Sequence, residues 1–340
     1  MRSHLVDKTL IICPSWVGDM VMAQSLFKAI KLRYPHTTIE VLAPQWSYSL
    51  TARMPEISDR IPMSLKHGEF GLSERRQLAK KLKTENYERC FVLPNSWKSA
   101  LIPFLAKIPK RIGWRGEWRY GLLNDIRVLD KQRYPLMVER YIALAYEQES
   151  SLPALRPSLV TEADNVQNAL ANYALSLDKP ILVLCPGAEF GPSKRWPEEY
   201  YATLSNHYLE KNWQVWIFGS AKDSEVAQKI QAQTHNQAID LTGRTSLGDA
   251  IDLMSLAKLV VTNDSGLMHI AAALSVPLVA LYGSTSPGFT PPLSDQVKIV
   301  KENISCSPCF KRTCPLGHHQ CMRNLSVDTA LQSAHSLVSA

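Results

Sequence analysis

The chain has 340 residues, with 38 Lys plus Arg against 31 Asp plus Glu and a net charge of +7. At about 100–200 residues per domain it divides into two, and its 45% hydrophobic and 20% charged residues exclude a disordered or collagen-like chain. The longest apolar stretch, Leu267 to Gly283, is broken by His269 and Pro277 and falls short of the ~20 residues a spanning helix needs.

In chain order, Thr9–Cys13 reads as a strand, Val21–Tyr34 as a helix stopped near Pro35, and Thr38–Leu42 as a β-branched strand. Ser73–Glu85 reads as a charged helix, Arg89–Leu93 as a strand ending at Pro94, and Leu136–Glu147 as an amphipathic helix. Ser150 to Pro157, with two prolines, opens an interdomain linker, and a helix follows over Thr161–Ser176. The pattern then restarts. Strands are expected over Pro180–Cys185, Gln214–Phe218, Ala238–Leu241, Leu259–Thr262 and Leu278–Tyr282. Between them lie helices Pro197–Lys211, Asp223–Thr234, Ser246–Leu256 and Gly266–Leu274. Such alternation predicts an α/β protein with two Rossmann-like parallel-sheet domains, residues 1–157 and 158–340, facing a central cleft. The last helix is free in this reading to pack back on the first domain.

Charge is unevenly placed: 25 basic against 17 acidic residues over 1–165, and 13 against 14 over 166–340. An anionic partner is therefore expected on the first half, whether nucleic acid, a membrane surface or a phosphorylated substrate. Pro14 and Asp19 interrupt the first apolar run where a signal peptide needs continuity, so a cytoplasmic location is expected, with the seven cysteines reduced, metal-bound or catalytic.

Ligands of open α/β sheets sit beyond the carboxyl ends of the strands. The first such segment, Pro14-Ser15-Trp16-Val17-Gly18-Asp19, places a carboxylate at a strand-to-helix junction, where it serves either as a general base or as a helix cap. The second runs from Cys185 to Glu198. Gly187 and Gly191 permit close backbone approach to a phosphate, and Lys194 supplies a charge to neutralise it. Neither a P-loop nor a G-x-G-x-x-G is present, which weighs against nicotinamide cofactors. The third is Asn263-Asp264-Ser265-Gly266-Leu267-Met268-His269: a capped helix start that offers free N–H groups to an anion, with His269 one turn in. The fourth places Cys306, Cys309, Cys314 and Cys321 within sixteen residues around His318 and His319, a spacing open to a structural zinc or a redox-labile loop. The fifth, Lys107 to Arg119, interleaves Trp114, Arg115, Trp118 and Arg119, suited to sugars, phosphates or carboxylates. No nucleic-acid module is recognisable.

Taken together, these motifs resemble the ADP-heptose:lipopolysaccharide heptosyltransferases over nearly the whole chain. Beyond the segments above, the resemblance rests on Leu93-Pro94-Asn95-Ser96, Gly113-Trp114-Arg115-Gly116, Tyr120-Gly121-Leu122-Leu123-Asn124-Asp125 and Lys194-Arg195-Trp196-Pro197. It implies a GT-B fold and an inverting transfer of L-glycero-D-manno-heptose from ADP-heptose, with no metal required. The implied acceptor is a Kdo2-lipid A core already bearing one heptose, reached by peripheral contact with the inner membrane. It implies an acceptor-binding first domain and an ADP-heptose-binding second domain. On this basis Asp19 is the general base. Lys194, Asp264, Ser265, Gly266, His269 and Gly187 surround the donor, with Ser220 to Glu225 as an adenosine-side loop. Trp114, Arg115 and Arg119 meet the acceptor. A family member acting at another core position, and a nucleotide-sugar epimerase or hydrolase of similar fold, are the alternatives.

Overall fold

The computed structural model describes residues 7–63, 65, 69–147 and 150–339. Two compact units emerge, Met1–Pro157 and Ser158–Ala340, each built on its own six-stranded parallel sheet. The first sheet comprises β1 (Lys8–Ile12), β2 (Thr38–Ala43), β3 (Ile57–Pro62), β4 (Arg89–Val92), β5 (Lys110–Trp114) and β6 (Asp125–Arg127), in the order β3-β2-β1-β4-β5-β6. The second comprises β7 (Ile181–Cys185), β8 (Gln214–Ile217), β9 (Ile239–Asp240), β10 (Leu259–Asn263), β11 (Leu278–Tyr282) and β12 (Val297–Lys301), in the order β12-β11-β10-β7-β8-β9.

Counted from its own first strand, each sheet follows the doubly wound order 3-2-1-4-5-6. The chain reverses direction across the sheet between β1 and β4 in one unit and between β7 and β10 in the other. In doubly wound sheets a crevice opens at such a reversal beyond the carboxyl ends, and the segments after β1, β7 and β10 are among those singled out by sequence.

The central strands are buried along their whole length, as their apolar runs require, and β10 ends in the buried polar pair Thr262 and Asn263. Helix Val17–Arg33 has buried residues on nearly every side from Met20 to Ile30 and packs along helix Met137–Ala143. It begins four residues before the expected Val21, so Asp19 lies in its first turn. The expected helix Leu136–Glu147 is shorter, Met137–Ala143.

Four strands went unread: β3, β5, β6 and β12. Three are sheet edges bearing charges or Pro62, the composition by which edges resist pairing with other chains. Pro103 masks helix Trp97–Leu105 in the sequence, and β5 takes up Lys110–Trp114 within the basic aromatic segment Lys107–Arg119. The closing helix Val327–Val338 buries Ala330 and Ala334 in the core of the second unit.

Candidate active site

At the β7–β10 reversal of the second unit, Lys194 closes a short turn over Pro192–Lys194. Its Nζ lies 2.6 Å from Asp264 Oδ2, with the two side chains 13% and 4% exposed. Thr285 Oγ1 donates to the same carboxylate oxygen at 2.5 Å. The Lys194 ammonium also stands 5.0 Å from the Phe190 ring centroid. Immediately after Asp264, Ser265 caps helix Gly266–Ala273 with its backbone, and its side chain makes no cap hydrogen bond to that helix. First-turn N–H groups of such a helix have no partner within the helix, and their dipoles favour an anion. His269, within this helix, is buried; burial pushes its imidazole down to about 4, with the Asp264 charge opposing. It is therefore neutral at pH 7 and contributes hydrogen-bonding capacity rather than positive charge.

Asn263, read from sequence as a cap, is the cross-link of the site. Its Oδ1 accepts from the Trp196 N–H at 3.0 Å and the Tyr201 hydroxyl at 3.1 Å. Its Nδ2 donates to the Pro186 carbonyl at 2.6 Å and the Gly187 carbonyl at 3.4 Å. One fully buried amide thus ties both ends of the Lys194 loop to β10. Gly187 has a steric reason to be glycine: a Cβ there would stand 2.4 Å from the Asp223 carboxyl carbon. Asp223 in turn accepts from the Ser220 N–H at 2.9 Å and the Ser220 hydroxyl at 2.8 Å. Ser220 is therefore engaged in a capping box. Glu225 is 81% exposed and pairs with Lys229 at 3.2 Å, on the outer side of its helix.

In the first unit, Asp19 is half-buried in the first turn of helix Val17–Arg33, just beyond β1. The buried Tyr141 hydroxyl bonds to its carboxylate. Burial first, and Asp19 next, push the Tyr141 hydroxyl well above its ordinary value, so it stays protonated and donates. Nothing in the sequence near Asp19 signals Tyr141, which arrives from helix Met137–Ala143.

The three residues expected at the acceptor separate. Arg115 is exposed. Trp114 ends β5 with 7% exposure, and its indole N–H donates to the Arg140 carbonyl at 3.1 Å. Arg119 is 2% exposed. Its guanidinium donates to the carbonyls of Pro94, at 2.6 Å, and Trp114, and to Asn95 Oδ1 at 3.3 Å. Burial lowers it to about 10, so it remains charged at pH 7. Arg119 therefore holds the loop after β5 against the loop after β4, Trp114 ties the end of β5 to helix Met137–Ala143, and the polar ends of both are turned to the protein. That same edge displays Trp118 and Tyr120 at 87% and 63% exposure, with Trp16 and Trp97 also open to solvent.

The four late cysteines line one small cavity with His318, Ser193 and Ser284. All are free thiols. Among the described residues no group of three or more His, Cys, Asp or Glu side chains is placed to hold a metal ion, so the zinc site considered from spacing is not assembled. No helix among the described residues is long and apolar enough to cross a membrane.

Residues 75–320 match the model of glycosyltransferase family 9 (heptosyltransferase). The chain is 47% identical to the lipopolysaccharide heptosyltransferase 2 of Salmonella typhimurium, over 98% of this chain and 99% of that one. It is 47% identical to the protein of the same name from Escherichia coli, over 97% and 98%. The solved structure of the E. coli ADP-heptose LPS heptosyltransferase II superposes with a TM-score of 0.88, covering 98% of both chains at 45% identity. The paired parallel sheets are those of the GT-B fold. The chain belongs to glycosyltransferase family 9, the heptosyltransferases.

Proposed function

We propose that the chain transfers L-glycero-D-manno-heptose from ADP-heptose to the first heptose of a Kdo2-lipid A core, inverting the anomeric centre in one displacement. The near-full-length identity to relatives bearing the name heptosyltransferase 2 carries this reading. The residues at the two strand reversals supply its chemistry. Lys194 and the N–H groups opening helix Gly266–Ala273 neutralise the departing diphosphate. Asp264, itself held by the Thr285 hydroxyl, keeps the Lys194 ammonium in place until the donor arrives. Gly187 lets backbone approach the donor, and neutral His269 offers a hydrogen bond to the sugar side. Asp19, oriented by Tyr141, takes the acceptor proton as the new bond forms.

In this reading the second unit holds the donor and the first holds the acceptor. Arg115 meets acidic groups of the acceptor directly, while Trp114 and Arg119 position its loop. The excess basic charge of residues 1–165 and the open Trp118 and Tyr120 suit a peripheral position at the inner face of the cytoplasmic membrane. Charge stabilisation by Lys194 and helix dipoles makes a catalytic metal unnecessary, so turnover is expected to withstand EDTA.

The test is product analysis with ADP-heptose and cores carrying no heptose or one. Transfer to the one-heptose core alone, with β-to-α inversion or its reverse, is expected. Donor breakdown without any acceptor points instead to a hydrolase or epimerase. Asp19→Asn is expected to abolish transfer while ADP-heptose still binds; undiminished transfer removes Asp19 as the base.

A further inference from the structure

The four-cysteine segment is not used by this chemistry, yet it packs directly behind the Lys194 loop. Ser193 donates its backbone N–H to the Arg312 carbonyl at 3.1 Å and its hydroxyl to the Lys311 carbonyl at 2.5 Å. It also shares a hydrogen bond with Ser284 at 2.9 Å. Phe310 N–H donates to the Ser284 carbonyl at 2.8 Å, and the Ser307 hydroxyl to the Gly283 carbonyl at 2.6 Å. A Cβ on Gly191 would stand 2.3 Å from the Arg312 carbonyl oxygen, so the two segments meet backbone to backbone. Whatever fixes residues 306–321 therefore fixes Ser193, the neighbour of Lys194.

The thiols are arranged unequally. Cys306, Cys309 and Cys314 are half-buried and open to small reagents, whereas Cys321 is buried. Backbone N–H groups of His319, then of Leu316, Gly317 and His318, surround the Cys314 sulfur and hold its thiol below the usual range. Donors gathered on a sulfur favour the thiolate, which is the reactive form. Cys321 lies within electrostatic reach of the other three thiols. Its Sγ lies beside Gly283, 3.2 Å from where a Cβ on that glycine would stand.

We propose that this cavity is a thiol–disulfide exchange site whose oxidation loosens the donor loop. The consequence for the donor rests on the reading of Lys194 as a diphosphate ligand given above. The co-reactant is a small-molecule disulfide such as oxidised glutathione. The Cys314 thiolate attacks one sulfur of the reagent, its S–S bond breaks, and one thiolate leaves. The Cys321 thiolate then attacks the Cys314 sulfur and expels the second thiolate. The two protons of the cysteine thiols end on the two released thiols; the protein pair gives up two electrons and the reagent gains them. Drawing Cys321 off Gly283 displaces Ser284, breaks its bond to Ser193, and shifts Lys194 from its place beside Asp264.

The experiment uses the full chain, treated with oxidised glutathione and then with dithiothreitol. Peptide mapping by mass spectrometry, ADP binding by calorimetry and the two KM values are read in parallel. Expected are a Cys314–Cys321 linked peptide, a roughly tenfold weaker ADP affinity and higher donor KM, an unchanged acceptor KM, and reversal on reduction. Cys314→Ser and Cys321→Ala are expected to keep basal activity and to lose the response; if one of them fails to fold, the other reads the same point. Thiols that all stay free overturn the proposal. So do a disulfide without change in ADP affinity, and a stoichiometric metal ion masking the thiols in the isolated protein. If the linked peptide and the ADP response appear but heptose is not transferred, the proposed function fails and the exchange site stands.

Discussion

Asn263→Ala is the perturbation that most directly tests how the Lys194 loop, the proposed donor loop, is held to β10. The amide makes four hydrogen bonds from a fully buried position, three of them at 2.6, 3.0 and 3.1 Å. Truncation leaves the Trp196 N–H, the Tyr201 hydroxyl and the Pro186 carbonyl unpaired. Trp196 and Tyr201 are themselves buried, so water cannot readily replace the amide. Leaving one buried polar group unmade costs about 1–3 kcal/mol. Three orphans, partly relaxed, amount to a destabilisation of about 3–5 kcal/mol. Urea unfolding of the two proteins measures it, and calorimetric titration with ADP measures the accompanying loss of donor affinity. Asn263→Asp should be destabilised as well, because it keeps the acceptor but replaces the two N–H donors with a buried charge facing carbonyls. An Asn263→Ala protein within 1 kcal/mol of the parent would refute the argument that this amide cross-links β7, β10 and the Lys194 loop.

Three further expectations follow from neighbouring groups. His269 has its folded-state value lowered to about 4, below the usual ~6.5. Its contribution is thus fully present above pH ~6.5 and is lost as pH falls toward 4, on the order of 3 kcal/mol; a His269→Gln protein whose stability falls equally over that window contradicts this. Tyr141→Phe should lower kcat roughly tenfold with donor KM unchanged, since it removes one hydrogen bond to the charged Asp19; steady-state kinetics with unaltered kcat would exclude the positioning role. Gly187→Ala should cost about 1–3 kcal/mol by driving Asp223 from Ser220, and a thermal unfolding curve matching the parent would show that the loop yields freely.

The fold was legible where burial leaves a plain signature. Ile181–Cys185 and Leu278–Tyr282, with the Leu259–Val261 part of β10, are buried on both faces and therefore read as apolar runs. Ile57–Pro62 and Val297–Lys301 carry charges because they are sheet edges, and that composition mimics a loop. Asp19, Lys194 and Asp264 stand out in the sequence because they follow predicted strands, where ligands of such sheets sit. Trp114 and Arg119 were read as presented to a ligand because composition gives no direction; the strand register of β5 and the carbonyls around Arg119 turned them inward. Tyr141 and Thr285 reach their carboxylates from distant parts of the chain, a relation that only folding creates.

Helix Val17–Arg33, sheathed on nearly every side, gives Asp19 an unusually rigid mount. Its amides should be among the slowest in the first unit to exchange with solvent. Almost any substitution along it disturbs packing, so natural variation has little room there. The loop after β5, with Arg115, Trp118 and Tyr120 open to water, carries no such constraint. On the function proposed above, a lineage that shifts to a different acceptor can rewrite that loop and leave Asp19 unchanged, and a designer seeking new sugar acceptors should begin there rather than at the helix.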